Sequence, residues 1–207
     1  MDNIYIYILL MVLVGYWFFT ATKRREKYLE KYLFPKELEK ALSKEFKSEY
    51  HEEILEALRE YFIILNRANN VKFFVPSKAI LTAWRSFVLL KDYEKFANKA
   101  FGKVIVPPKV NKKISKWTLR NAFRTVYALA TSREDIDRMK QKKLPFIFRL
   151  DKRLNIKKGM TFEFKKGKSK KSKRSRAKRK TGNNGNGASF SLSYSSDDYW
   201  ELSLIHI

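Results

Sequence analysis

An uncharged apolar segment near the N-terminus limits what this chain can fold into more than any other feature. Residues 4–21 read IYIYILLMVLVGYWFFTA, 18 residues without a charge. An α-helix of that length is about 27 Å long, close to the thickness of the hydrocarbon core of a bilayer. Tyr5 and Tyr7 lie near one end and Tyr16 and Trp17 near the other, where aromatic rings favour the membrane interfaces. The segment predicts a transmembrane anchor over residues 1–22.

The charges around this segment predict its orientation. Lys23, Arg24, Arg25 and Lys27 follow it directly, whereas only Asp2 precedes it. Because basic flanks stay in the cytoplasm, we expect a single-pass membrane protein with its N-terminus outside and its soluble domain on the cytoplasmic side. Two alternatives remain open. A cleaved signal peptide would carry its positive charges before the apolar run, and a buried core helix is rarely apolar all round.

Composition narrows the chemistry. The 207 residues include 45 Lys+Arg against 21 Asp+Glu, a formal charge of +24, which implies an anionic partner such as nucleic acid or lipid headgroups. There is no cysteine, so disulfides, cysteine zinc sites, iron–sulfur clusters and a cysteine nucleophile are excluded. With two histidines in all, a histidine-rich metal site is excluded too. We therefore predict no catalytic, cofactor-binding or metal-binding residues.

Helical periodicity continues beyond the anchor. Residues 23–33 read as a juxtamembrane basic helix, and residues 34–164 as a helical domain that begins at Phe34-Pro35. Ser77 is expected to cap one helix and Gly102 to end another. The predicted fold class is all-α, a transmembrane helix followed by a compact bundle of about five to six helices and a disordered basic tail. The predicted inward-facing residues are Leu38, Leu42, Phe46, Ile54, Leu55, Leu58, Phe62, Leu65, Ile80, Ala83, Trp84, Phe87, Val88, Tyr93, Phe96, Phe101, Leu119, Ala122, Phe123, Val126, Ala130, Ile147, Leu150 and Leu154.

Residues 76–104 read PSKAILTAWRSFVLLKDYEKFANKAFGKV, and their order of proline, serine and aromatic residues matches a known pattern. The pattern is P-S, then V-D-x-x-W-H-x-F-I-L, then Y-x-x-F-C-x-x-A-F-G, then paired histidines. In this respect the chain resembles the bacterial glycine-rich domain-containing proteins over about residues 34–162. The matching positions are Pro76, Ser77, Trp84, Phe87, Tyr93, Phe96, Phe101 and Gly102.

The polar positions of that pattern are not kept. Leu81 stands where the pattern has Asp, Arg85 where it has His, and Ala97 where it has Cys, while Val106 and Pro107 replace the paired histidines. Asp, His and Cys are the residue types that bind metals or move protons. The resemblance therefore implies a fold rather than a reaction.

A basic tail follows the helical domain over residues 165–207 and continues into a Gly/Asn/Ser-rich stretch. Residues 165–180 read KKGKSKKSKRSRAKRK, 11 basic residues in 16 with no acid and no aromatic. Such a run cannot bury apolar surface, so disorder and sequence-independent contact with phosphates are expected. Anionic lipid headgroups and RNA both remain open as partners. The predicted anionic-surface-binding residues are Lys165, Lys166, Lys168, Lys170, Lys171, Lys173, Arg174, Arg176, Lys178, Arg179 and Lys180.

The function predicted from these features is a membrane-anchored helical scaffold or binding module on the cytoplasmic side. Its helical domain is expected to meet a protein partner, which the sequence does not identify, and its basic tail to contact anionic lipid or RNA. Phosphate-loop, dinucleotide-binding, zinc-protease and nucleophile-elbow motifs are absent from the sequence. The alternative is a membrane-tethered enzyme, hydrolase-like or metal-dependent, in which several of Asp92, Glu94, Asp135, Asp137 and Arg85 converge. The final LSLIHI resembles translated adapter sequence, so His206 is left out of both hypotheses.

Overall fold

The computed structural model describes five longer stretches of the chain and one single position. They are residues 2–68, 71, 74–108, 114–136, 143–165 and 189–193; within them, the side chains of residues 2–4, 14, 17–19, 116, 163–165 and 189–193 lie outside the description. The described elements are α1 (Asp2–Lys31), α2 (Lys36–Leu42), a 3₁₀ turn (Ser48–Tyr50), α3 (His51–Arg67), α4 (Lys78–Val88), α5 (Tyr93–Phe101), α6 (Lys116–Arg133), α7 (Phe146–Arg153), β1 (Thr161–Lys165) and β2 (Ser189–Ser193).

The predicted transmembrane anchor is wrong. Across the described ranges, the structure contains no helix with the length and apolar character that a membrane crossing requires. Helix α1 continues into the charged residues 23–31. The single-pass placement, the outside N-terminus and the cytoplasmic-side domain are overturned with the anchor, as is the fold class built on them.

A short sheet is a second departure from the predicted all-α fold. β1 and β2 pair antiparallel, with Thr161 opposite Ser193 and Lys165 opposite Ser189. β2 falls within the segment that the sequence predicts to be disordered. The alternating residues of TFEFK and SFSLS are typical of strands. Runs this short carry too little periodicity to be separated from polar tail sequence by pattern alone.

Local signals explain where the helices begin and end. Pro35 is the extended N-cap residue immediately before α2, rather than a residue of its first turn as its fixed φ predicts. Ser77 caps α4, its hydroxyl accepting a hydrogen bond from the Ile80 N–H. Gly102 ends α5 with a left-handed φ of 72°, and a Cβ there would collide with the Arg25 guanidinium. The left-handed backbone favours glycine at this position, whereas the Arg25 guanidinium is the end of a flexible side chain that can move aside.

Two aromatic clusters occupy the core. The first joins α3, α4 and α5 through Phe62, Phe87 and Phe96, whose ring centroids lie 4.9 to 6.4 Å apart. The second joins α7 to β1 through Phe148 and Phe162, 5.0 Å apart. Tilted and edge-on pairs such as these contribute about 0.5–1.5 kcal/mol each beyond the burial of their surface.

A network of ion pairs fixes the C-terminal half of α1 to the domain. Arg133 of α6 donates to Glu60 of α3 at 2.7 and 3.0 Å and to Glu26 of α1 at 2.8 Å. Arg67 of α3 donates to the same Glu26. Hydrogen bonding to Glu60 raises the pKa of Arg133 above its ordinary value, although partial burial opposes the shift. Because each charge in the network has an opposite partner, its partial burial is tolerated.

The Asp151 carboxylate is the most heavily bonded buried polar group that the structure describes. It is 2% exposed. One oxygen accepts from the Ser77 hydroxyl at 2.5 Å and the Ala79 N–H at 3.2 Å. The other accepts from the Lys78 N–H at 2.6 Å and the Met160 N–H at 2.7 Å. A negative charge at the N-terminus of α4 is also favoured by the helix dipole. This side chain therefore binds α7 to α4 and to the residue before β1.

We expect Asp151→Asn to lower the free energy of unfolding by about 2–4 kcal/mol, because the amide nitrogen cannot accept hydrogen bonds and faces buried donors. Urea titration followed by circular dichroism measures the change. Asp92→Asn is the matched control, since Asp92 is exposed and its side chain makes no capping bond; its cost should stay within about 0.5 kcal/mol. Equal stability of the two variants would contradict the assigned role of Asp151.

A buried hydrogen-bond chain gives a second test of the fold. The Trp84 indole N–H donates to the Tyr93 hydroxyl at 2.9 Å, and that hydroxyl donates to the Ile105 carbonyl. Burial raises the pKa of Tyr93 to about 12, although the bond from Trp84 opposes the shift. The phenol is therefore kept neutral in the folded protein above the pH at which it ionises when unfolded.

Because the folded pKa of Tyr93 is raised, its contribution to stability is complete below about pH 10 and is lost as the pH rises toward 12. The loss should reach about 3 kcal/mol, since each pKa unit corresponds to roughly 1.4 kcal/mol. Urea unfolding of the wild type and of Tyr93→Phe across this range isolates the effect, because lysine deprotonation is common to both proteins. Parallel stability curves for the two would refute the prediction.

Candidate polyanion-binding surface

Most of the predicted tail site lies outside the described residues. Lys165 is the last residue of β1 and pairs with Ser189. The other ten predicted residues, Lys166, Lys168, Lys170, Lys171, Lys173, Arg174, Arg176, Lys178, Arg179 and Lys180, fall in the undescribed segment. The chain thus leaves the described part at one end of the hairpin and returns at the same end. A binding surface with defined geometry must therefore come from the described domain.

Four of the residues named for the enzyme alternative line neither of the two cavities that are described below. Asp92 and Glu94 are exposed at the start of α5, and Asp135 is exposed just after α6. Arg85 is half-buried on α4. None of these four lines either the groove beside α2 and α3 or the cavity beside the 3₁₀ turn, and Asp137 lies outside the described residues. Within the described ranges, no group of three or more His, Asp or Glu side chains is placed to hold a metal ion.

The larger cavity is an open groove of about 700 Å³ between α2, α3 and the segment before α2. Leu33, Phe34 and Leu55 supply its apolar side chains, while Glu39, Glu52 and Glu56 line it with acid. His51 and Arg59 complete the lining; His51 hydrogen-bonds the Phe46 carbonyl, and Arg59 donates to the Tyr32 carbonyl. The carboxylates repel an anionic ligand, so this groove does not suit a phosphate-bearing partner.

The smaller cavity, about 230 Å³, lies beside the 3₁₀ turn and the residues after α7. Lys47, Lys78 and Lys157 line it together with Glu45. Lys78 already donates its ammonium to the Lys157 carbonyl, and Lys47 pairs with Glu49. At this volume it falls below the range of about 300–1,000 Å³ typical of ligand pockets. It offers no surface for a large polyanion.

Lysines form a row on the outer side of α5. Lys91 in the preceding turn and Lys95 and Lys99 in the helix are spaced four residues apart, and all three are exposed. Within α5 this spacing places Lys95 and Lys99 on one side, about 6 Å apart along the axis; Lys91 lies in the turn just before the helix. No described residue forms an ion pair with any of them. We call Lys91, Lys95 and Lys99 the lysine row.

The core sets the orientation of this row. The ring centroid of Phe96 in α5 lies 4.5 Å from that of Tyr32 and 6.2 Å from that of Tyr28. Because this side of α5 packs against the core, the opposite side faces outward. Burial raises the pKa of Tyr32 to about 12, which keeps this contact uncharged. The Arg25 guanidinium lies over Gly102 at the C-terminal end of the helix, where a positive charge is favoured by the helix dipole. The result is a fixed cationic surface on α5.

Sequence reasoning missed the lysine row, although its spacing is visible in the sequence. The signal was the four-residue interval combined with Tyr93, Phe96 and Ala97 as the buried residues of the same helix. The basic run after residue 164 drew attention away from it, because counting charges along the sequence detects consecutive basic residues and not basic residues four positions apart.

The sequence pattern that defines the UCP032817-like family matches residues 24–184, well over half of the chain. The chain belongs to this uncharacterised family, so membership assigns no activity. The predicted resemblance to glycine-rich domain-containing proteins is wrong. Most of its matching positions, such as Trp84, Phe87 and Phe96, are core residues whose packing role is general among helical proteins. No curated protein and no solved structure matches the chain.

Proposed function

We propose that this protein is a helical binding module that binds RNA through clustered lysine and arginine side chains. The lysine row is the observation that carries the proposal, because it is exposed, fixed by core packing and without an ion-pair partner among the described residues. The formal charge of +24 supports a polyanionic partner. The basic run over residues 165–180 would add further phosphate contacts from the same chain.

The placement of acidic side chains supports the same proposal. Glu26 and Glu60 are used in the ion-pair network, and Asp151 is used in the core. Each therefore does little to offset the charge of the outer surface. Glu39, Glu52 and Glu56 are concentrated at the groove instead. Residues 91–99 carry three lysines against Asp92 and Glu94, so this stretch of the outer surface remains net positive.

RNA is favoured over anionic lipid as the partner. The argument for lipid depended on a membrane anchor that would hold the basic run beside the inner leaflet. Both partners present phosphates, so the experiment includes each of them.

We expect the full-length protein to bind a labelled single-stranded RNA with an affinity that falls steeply as salt rises. Replacing Lys91, Lys95 and Lys99 with Gln should weaken binding and reduce the slope of log K against log salt by about 2, or roughly 0.7 for each phosphate that is no longer neutralised. Fluorescence anisotropy at several salt concentrations measures both quantities.

Lys36, Lys40 and Lys44 provide the matched control. They have the same spacing, are also exposed and, like the lysine row, have two acidic residues among them. One of these acids, Glu39, lines the acidic groove together with Glu52 and Glu56. Replacing these three with Gln changes the net charge equally and should alter the slope by much less. Equal effects of the two triple variants would show that only net charge matters. Binding to phosphatidylserine vesicles without binding to RNA would overturn the proposal.

A further inference from the structure

The outer side of α6 carries an exposed tryptophan followed by two exposed arginines. Trp117 is 73% exposed. Arg120 and Arg124, one and two turns further along, are also exposed. The opposite side of the helix is buried through Leu119 and Val126, together with Ala122 and Phe123. Because the core fixes the rotation of α6, these three outer side chains share one direction.

Tryptophan at such exposure is uncommon, since it is highly buried on average. The Ser115 cap holds the first turn of α6, its hydroxyl accepting from the Thr118 N–H at 3.1 Å. The indole is therefore presented from an ordered turn. Leu89 in the turn after α4 is exposed as well. It has no aromatic face, however, and no arginine follows it three or four residues later in the sequence.

Charge complementarity identifies the occupant of this surface. The α6 sequence KWTLRNAFRTVYALATSR contains no acid, and neither Arg120 nor Arg124 pairs with a described residue. Arginine holds phosphate through its planar fork of donors. An aromatic face beside a positive surface binds unpaired bases by stacking, whereas the bases of a duplex are already stacked on one another.

We infer that the outer side of α6 is a stacking surface for single-stranded RNA. Trp117 stacks on an unpaired base, and Arg120 and Arg124 hold neighbouring phosphates over about 10 Å of helix. The half-buried Asn121 lies on the same side, one turn from Trp117. This inference rests on the proposed function and adds to it a preference for unpaired strands, which the lysine row alone would not give.

Full-length protein with Trp117→Ala or Trp117→Phe provides the test. Affinity is measured for a single-stranded RNA and for the same strand annealed to its complement. Trp117→Ala should lower single-strand affinity roughly ten- to hundred-fold, the range for losing one stacked base, and leave duplex affinity within about two-fold. The single-strand affinity of Trp117→Phe, which retains an aromatic ring, should lie between those of the wild type and Trp117→Ala. Leu89→Ala, which also removes an exposed apolar side chain, should change neither affinity.

The results separate this inference from the proposal beneath it. If the Trp117 variants bind single strands as tightly as the wild type while the lysine-row variant binds weakly, the stacking surface is refuted and RNA binding stands. Equal losses on single strands and duplex would also refute stacking. If the wild type binds neither RNA, both proposals fail. Quenching of tryptophan fluorescence by single-stranded RNA that disappears in Trp117→Phe would give direct support.

Discussion

The buried Asp151 carboxylate lies where the N-terminus of α4, the body of α7 and the residue before β1 meet. Three of its four hydrogen bonds join segments more than 70 residues apart in the sequence, and the fourth reaches Met160, nine residues away. Removing a carboxylate from water is costly, and here backbone N–H groups at a helix terminus compensate for it. Those same N–H groups would otherwise lack partners. One aromatic cluster includes Phe87 of α4 and the other includes Phe148 of α7, so the bonds of Asp151 between α4 and α7 also link the two clusters.

Sequence periodicity predicted the parts of this fold that depend on local chemistry. The Ser77 cap, the left-handed Gly102 and the buried side of α6 follow from backbone sterics and from spacing in threes and fours. The hydrogen-bond partners of Asp151 and the ion-pair network around Arg133 could not be predicted in this way. Contacts between residues 70 to 110 positions apart leave no periodic pattern in the sequence. The prediction for the apolar run in α1 was drawn from uncharged length, and no described helix has the length and apolar character of a bilayer span.

The candidate binding surfaces illustrate the same division. The lysine row and the exposed Trp117 can be read in the sequence only after the buried side of each helix is known, since exposure is set by packing. The acidic groove could not be anticipated, because Glu39 and Glu56 come from different helices and meet only in the folded chain. The sequence therefore supplies the residue types of these surfaces, and the fold determines which charged side chains lie close to one another.

The unbroken course of α1 has a geometric consequence for its exposed half. Tyr5 to Leu13 are exposed, while Glu26 in the same helix is fixed to α3 and α6. Each residue of an α-helix advances about 1.5 Å and turns about 100°. One residue inserted after Gly15 would therefore swing the exposed apolar side chains by about 100° around the axis, whereas seven would nearly restore their direction. The direction in which these apolar side chains face therefore depends on the number of helical residues between them and Glu26.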